Sequence, residues 1–141
     1  MTGTALRRNI SVTDIVMTRT RDPRDLLPLT PAVFHILLAL SDGERHGYAI
    51  MQEVAGDTNG ALRLGPGTLY GCLKRMLAAR LVEESDERPD PDIDDERRRY
   101  YRMTDFGART LRAEADRLAS AVSAARAKRL LSGKALAGTR S

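Results

Sequence analysis

The sequence has little of the chemistry that supports extracellular scaffolds or membrane spans. It contains one cysteine among 141 residues, so it cannot form an internal disulfide, and such cysteine usage fits a reducing compartment. No apolar run approaches the roughly 20 residues that cross a bilayer, and the N-terminal residues lack the apolar segment of a secretory signal. We therefore expect a cytoplasmic protein with no membrane contact.

Large apolar anchors are also scarce, because the chain has no tryptophan, two phenylalanines and four tyrosines. Hydrophobic residues still make up 42% of the sequence, enough for a modest core of leucine, alanine, valine and methionine. Such a core favours packed helices over a β-sandwich or barrel. Since a small domain buries little surface per residue, we expect a contribution from a partner subunit.

Charge is distributed unevenly along the chain. Residues 83–96 contain nine acids and one base, so this segment carries −8 while the rest carries +12, within a total of +4. A basic body with one acidic loop favours a polyanionic partner. An ordinary arginine-rich surface is the alternative that charge alone leaves open.

The stretch LGPGTLYGCLKRML, residues 64–77, begins with turn formers and continues as a helix with two unlike faces. One face is an apolar stripe at helical spacing. It consists of Leu69, Cys72, Leu73, Met76 and Leu77. The other face is expected to present Gly67, Tyr70, Gly71 and Lys74 to solvent. Glycine within a helix costs about 1 kcal/mol relative to alanine, so this smooth, basic face needs an explanation.

The order of elements is helix, helix, helix, strand, loop, strand, helix. Thr30 and Pro31 start the first helix with a hydroxyl cap and a proline, and Thr104 caps the last one. Residues 61–64 are compatible with a further small strand. Three helices followed by a hairpin predict a mainly α winged helix-turn-helix with a small β-wing, whose third helix enters the DNA major groove. The predicted units are a flexible N-terminal arm (1–28), the winged helix-turn-helix domain (29–103), a C-terminal dimerisation helix (104–131) and a disordered tail (132–141).

The last helix carries apolar residues at alternating spacings of four and three, which is the seam of a short coiled coil. The seam consists of Leu111, Ala115, Leu118, Val122 and Ala125. Two alanines give little apolar area, and at about 25 cal/mol per Å² such a seam alone is weak. We therefore expect the arm or first helix of a partner subunit to pack against it in a homodimer.

Three segments carry a family resemblance: HGYAIMQEV, LGPGTLYGCLKRMLAARLV and RRRYYRMTDFGARTL. Because of the order and spacing of these three segments, residues 29–111 resemble the PadR family of bacterial transcriptional regulators. The resemblance implies a homodimer, usually a repressor of a nearby gene, with a single C-terminal helix as in the short-tailed branch. It also implies a DNA-backbone contact by Tyr48, DNA-facing positions at Thr68, Tyr70 and Lys74, and a wing strand at residues 97–101.

Two departures from that family matter. The acidic wing loop should be repelled by phosphate at its tip, so Arg97 and Arg98 at its base are better candidates for DNA contact. The tryptophan that some drug-sensing relatives stack against flat ligands is missing. A drug-binding pore therefore has no direct support.

No catalytic, metal or cofactor site is expected. Cys72 lies on the apolar stripe and is interpreted as a packed residue. His35 and His46 have no second histidine or thiol at ligand spacing, and the acidic segment lacks the glycine and terminal glutamate of a calcium loop. The turn GPGTLYG has no preceding buried parallel strand, which a nucleotide-binding turn requires.

Together these features predict a homodimeric repressor that binds an inverted-repeat operator in double-stranded DNA. Two third helices about 34 Å apart would occupy successive major grooves. A small-molecule effector at the dimer interface, between the last helices and residues 30–40, would change that separation. Two alternatives stay open: a winged-helix adaptor that docks a protein on the acidic loop, and a small enzyme that uses the glycine turn for phosphate.

Overall fold

The computed structural model describes residues 21–85 and 99–132. Four α-helices are present there: α1 (Pro31–Ala39), α2 (Gly47–Asp57), α3 (Pro66–Ala78) and α4 (Asp105–Ala127). Three short strands accompany them: β1 (Arg45–His46), β2 (Val82–Ser85) and β3 (Tyr100–Met103). The predicted fold, mainly α with a small β-wing, is confirmed. Residues 1–20, 86–98 and 133–141 lie outside the described residues, and so do the parts of the predicted arm, acidic loop and tail that fall on them.

Side-chain caps explain where three of the helices begin. Thr30 Oγ1 accepts the Val33 N–H at 3.2 Å, and Pro31 follows at the first helical position. Thr104 Oγ1 likewise accepts the Gly107 N–H at 2.9 Å. Both predicted caps are therefore confirmed. His46 provides a third, because its Nδ1 accepts the Ala49 N–H at 3.2 Å.

The chain enters the left-handed region two residues beyond the end of α3. Arg80 has a φ of 64°, and the next residue, Leu81, donates its N–H to the Met76 carbonyl at 2.9 Å. This hydrogen bond satisfies one of the last carbonyl groups of α3, and the left-handed residue reverses the direction of the chain. The turn sends the backbone directly into β2.

The three strands form one antiparallel sheet in the order β1-β3-β2. Glu84 of β2 and Arg45 of β1 both lie opposite Tyr101 in the register. A two-residue strand has no periodicity, so β1 was not predicted. The strand expected at residues 61–64 is absent, because the Leu62 N–H is bonded locally to Thr58 Oγ1 at 3.0 Å rather than to a neighbouring strand.

The core lies between α1, α2, α3 and the sheet. Its fully buried members include Ile36 and Leu37 of α1, Ile50 and Val54 of α2, and Leu69 of α3. The first half of α4 packs against α1 and against a 3₁₀ turn at Pro23–Leu26. Within residues 21–85 and 99–132, no helix is long and apolar enough to cross a bilayer.

The residues just before α1 belong to the folded unit. Arg21 donates from Nη1 to the Ala79 carbonyl at 2.6 Å, and its guanidinium lies 4.5 Å from the Phe106 ring centroid. Leu26 packs against the core. The predicted arm of residues 1–28 therefore differs from the structure at 21–28, because tertiary contacts hold a segment that has no periodicity of its own.

Candidate nucleic-acid interface

The two faces of α3 separate as predicted for its apolar stripe. Leu69, Cys72, Leu73 and Met76 are buried. On the other side Gly67, Thr68 and Lys74 are exposed, and Gly71 is half-exposed. The helix therefore presents a small-residue surface outward along its length.

Nothing in the described protomer requires glycine at these two outward positions. A Cβ added at Gly67 would meet no described atom within 4 Å, and one at Gly71 would meet only Arg75 Nη1 at 3.7 Å. Each glycine nevertheless costs helix stability, about 1 kcal/mol in a helix interior. Packing within the described protomer therefore does not explain why this face has glycine at both positions.

The electrostatics of α3 favour an anion. Its sequence contains Lys74 and Arg75 and no acid, and Lys74 has no ion-pair partner among the residues that the structure describes. Among the helices of residues 21–85 and 99–132, α3 is also the one whose N-cap, Gly65, makes no side-chain hydrogen bond. Its first amide N–H groups stay available to an external acceptor.

Tyr70 does not point outward as expected. Its side chain is half-buried, and its hydroxyl lies beside the position that a Cβ at Gly47, the first residue of α2, would take. A Cβ at Gly47 would come within 2.7 Å of Tyr70 Cζ, a distance that real Cβ atoms do not show. Gly47 is the residue that admits this ring, so the tyrosine packs α3 against α2.

The other predicted DNA-binding residues are divided between exposed positions and undescribed ones. Tyr48, the second residue of α2, keeps 51% of its surface exposed. Arg97 and Arg98 lie outside the described residues, whereas their neighbour Arg99 is described and exposed. Their contacts with DNA remain predictions.

The residues weighed as metal or redox sites have structural roles. His46 uses Nδ1 to cap α2 and packs its ring edge-on against Tyr100, with 5.3 Å between centroids. Cys72 is only 3% exposed. The described part of the chain contains no group of three or more potential ligands that could hold a metal ion.

The predicted seam of α4 divides between two environments. Leu111 is buried in the core of its own protomer, which differs from its predicted place at a subunit interface. Beyond it, Ala115 and Val122 are exposed, while Leu118 and Ala125 are half-buried. The described protomer therefore leaves the later seam positions facing outward.

A family model of the transcriptional regulator PadR-like family matches residues 36–113, more than half of the chain. The chain belongs to the PadR-like family. The match spans α2, α3, the sheet and the first turns of α4. It therefore includes the α3 surface described above.

Two curated relatives of this PadR-like chain are similar to it over part of their length. One is an uncharacterised 37.1 kDa transposon protein of Streptomyces fradiae, 39% identical over 87 residues, which are 60% of this chain and 22% of that protein. The other is an uncharacterised protein X of Lysinibacillus sphaericus, 32% identical over 73 residues, which are 51% of this chain and 63% of that protein. The chain thus spans less than two thirds of either relative.

Solved structures share the PadR-like fold. A PadR family transcription regulator from Clostridium difficile matches with a TM-score of 0.57 and 21% identity, over 69% of this chain and 96% of that one. A PadR-like regulator from Bacillus cereus gives 0.57 and 20%, over 71% and 92%. A complex of hsRosR-S4 gives 0.56 and 27%, over 70% and 79%.

One buried charge of this PadR-like chain was missed by the sequence analysis. Glu114 of α4 is 1% exposed; it accepts the Leu29 N–H at 2.9 Å and a hydrogen bond from Arg117 Nη2 at 3.0 Å. The Arg117 hydrogen bond, more than the amide of Leu29, holds the pKa of this carboxyl below its usual value. In the sequence, the spacing of three residues between Glu114 and Arg117 predicts an ion pair on a helix. It does not predict that the carboxylate is buried.

Proposed function

We propose that this chain is a homodimeric DNA-binding repressor that controls its own or a neighbouring gene. The observation that carries the proposal is the outward face of α3, which is cationic and bears two glycines that the described protomer does not need. An external surface that approaches the helix backbone closely accounts for both features.

The groove wall of duplex DNA fits this face. Without side chains at Gly67 and Gly71, the helix backbone can approach the sugar-phosphate wall closely. Thr68 and Lys74 then provide a hydroxyl and a cation for phosphates or base edges. The uncapped N-terminus of α3 adds amide donors that favour a phosphate. Tyr48, exposed at the start of α2, would make a second backbone contact.

Dimerisation would set the spacing of the two α3 helices. The outward positions Ala115, Leu118, Val122 and Ala125 of α4 offer an apolar strip to a second copy. A pair of α3 helices about 34 Å apart would then enter successive major grooves of an inverted repeat. In this scheme residues 21–103 are the DNA-binding unit and α4 is the dimerisation helix.

An effector would act on that spacing. A small molecule that binds one dimer geometry better than another shifts the population toward the geometry it prefers. The interface between α4 and residues 30–40 is the place where such a molecule changes the relation between the two subunits. Loss of operator affinity on ligand binding is the expected result.

An electrophoretic shift with the DNA upstream of its own reading frame tests the proposal. We expect affinity to fall steeply with salt, and Lys74→Ala to weaken binding and lower the salt slope by about 1. Lys128→Ala, at the end of α4, is the matched control and should behave like the wild type. Absence of any shift at moderate salt contradicts the repressor and favours an adaptor that binds protein.

A further inference from the structure

A notch of about 320 Å³ separates α3 from the β-sheet. One wall is a single face of α3, with residues at spacings of three and four. The other wall is the sheet face turned toward that helix. The lining residues are Tyr70, Leu73, Lys74, Leu77, Glu84, Arg99 and Tyr101.

An ion pair lies on the sheet side of this notch. Glu84 is opposite Tyr101 in the register, and Arg99 precedes Tyr101 by two residues. The two charged residues are therefore diagonal neighbours on one face of the sheet, within reach of long side chains. Arg99 Nη1 lies 3.7 Å from Glu84 Oε2.

The pair is loosely held and open to solvent. The side chains of Arg99 and Glu84 keep 49% and 43% of their surface exposed, and half-exposed pairs of this kind contribute little to stability. Lys74 adds a second cation from the α3 wall. Two cations and one carboxylate thus line the same small space.

We propose that the notch seats one backbone phosphate of DNA between Lys74 and Arg99, and that Glu84 competes with this phosphate for the Arg99 guanidinium. The proposal rests on the proposed function, because it assumes that α3 lies in a DNA groove. A phosphate beside α3 would draw Arg99 away from Glu84. Because the Arg99–Glu84 ion pair must break before Arg99 can hold the phosphate, Glu84 limits affinity for the duplex.

The neighbouring residue of β2 offers a matched control. Glu83 pairs with Arg102, with Oε2 and Nε 2.7 Å apart, on the opposite face because successive strand residues alternate. Glu83→Gln and Glu84→Gln remove the same charge from adjacent positions. The difference in DNA affinity between these two variants therefore measures the effect of the notch separately from the general effect of net charge.

The test is the binding of each variant to a fluorescent duplex of about 24 base pairs and mixed sequence, followed by anisotropy across a salt series. Glu84→Gln should bind more tightly than Glu83→Gln and show a steeper salt dependence by about 0.9, the value for one more neutralised phosphate. Between 50 and 200 mM salt its advantage should therefore shrink about 3.5-fold. Arg99→Gln should weaken binding, and in the Arg99→Gln background Glu84→Gln should bind no more tightly than Glu83→Gln.

Equal affinities for Glu84→Gln and Glu83→Gln overturn the notch proposal. An advantage of Glu84→Gln over Glu83→Gln that persists without Arg99 overturns it too. In either case, salt-dependent binding by the wild type that Lys74→Ala weakens leaves the proposed DNA-binding function intact. If the wild type binds no duplex even at low salt, both proposals fail. Thermal unfolding of each variant checks that these half-exposed substitutions leave the fold unchanged.

Discussion

Replacement of Gly107 by alanine tests the close approach between α4 and the residue that precedes β2. A Cβ at this position would clash with the Leu81 carbonyl oxygen, and it would lie 2.9 Å from Met103 Cγ and 3.0 Å from the Leu81 carbonyl carbon. The same carbonyl accepts hydrogen bonds from Thr104 N and Thr104 Oγ1, each at 3.1 Å. The helix start must therefore move away from the beginning of β2.

The expected magnitude follows from three effects. Overpacking of a tight site costs about 1–3 kcal/mol, and each weakened hydrogen bond of Thr104 adds about 1 kcal/mol. Alanine recovers at most about 1 kcal/mol through its better helix propensity. The clash with backbone atoms dominates, so Gly107→Ala should lower the free energy of unfolding by about 2–4 kcal/mol.

Gly67→Ala is the matched control, because Gly67 also lies in the first turn of a helix but has open space around it. It should be neutral or more stable than the wild type by up to about 1 kcal/mol. Urea unfolding of the variants at one protein concentration compares them, since dimerisation makes stability depend on concentration. A Gly107→Ala protein as stable as Gly67→Ala would refute the close approach.

Four further predictions follow from single contacts. Gly47→Ala should destabilise the protein in urea unfolding, because the added Cβ would clash with the Tyr70 ring. In a Tyr70→Ala protein, Gly47→Ala should cost much less stability than in the wild type. Equal costs in the wild type and in Tyr70→Ala would count against the Tyr70–Gly47 packing. Glu114→Gln should cost about 1–3 kcal/mol at neutral pH. Because the pKa of Glu114 is lowered in the folded state, that difference should narrow in unfolding curves as the pH falls below about 4.3. Arg80→Gly should stabilise by up to about 1 kcal/mol in thermal unfolding, since a φ of 64° suits glycine. Leu118→Asp should dissociate the proposed dimer in sedimentation, and a profile free of monomer would contradict that.

The sequence predicted the elements whose causes are local. Thr30 and Thr104 cap helices by bonding to an amide three residues ahead, and a hydroxyl before an apolar run predicts such a bond. The α3 stripe was predicted for the same reason, because burial there repeats at helical spacing. The outward positions of Gly67, Gly71 and Lys74 were predicted in the same way, because they lie on the face opposite that stripe; their contact with DNA stays a prediction.

Apart from the absent strand at residues 61–64, the differences between expectation and structure concern contacts between residues distant in sequence. The Tyr70 side chain points toward Gly47 because of where α2 lies, and the residue pattern of α3 does not predict the position of α2. Arg21 and Phe106 are brought together in space from opposite ends of the domain. Leu111 has the spacing of an interface residue and is nevertheless buried in its own protomer.

The sequence by itself determined the order of the four α-helices, the caps at Thr30 and Thr104 and the face of α3 that carries Lys74, since these properties depend on neighbours within one or two turns. The tertiary structure alone decided that Tyr70 packs inward, that Glu114 is buried with the amide of a residue 85 positions away, and that Glu84, Arg99 and Lys74 share one notch. Residues far apart in sequence come within a few ångströms only when the helices and strands pack around the core. The spacing of residues along the sequence does not specify those distances.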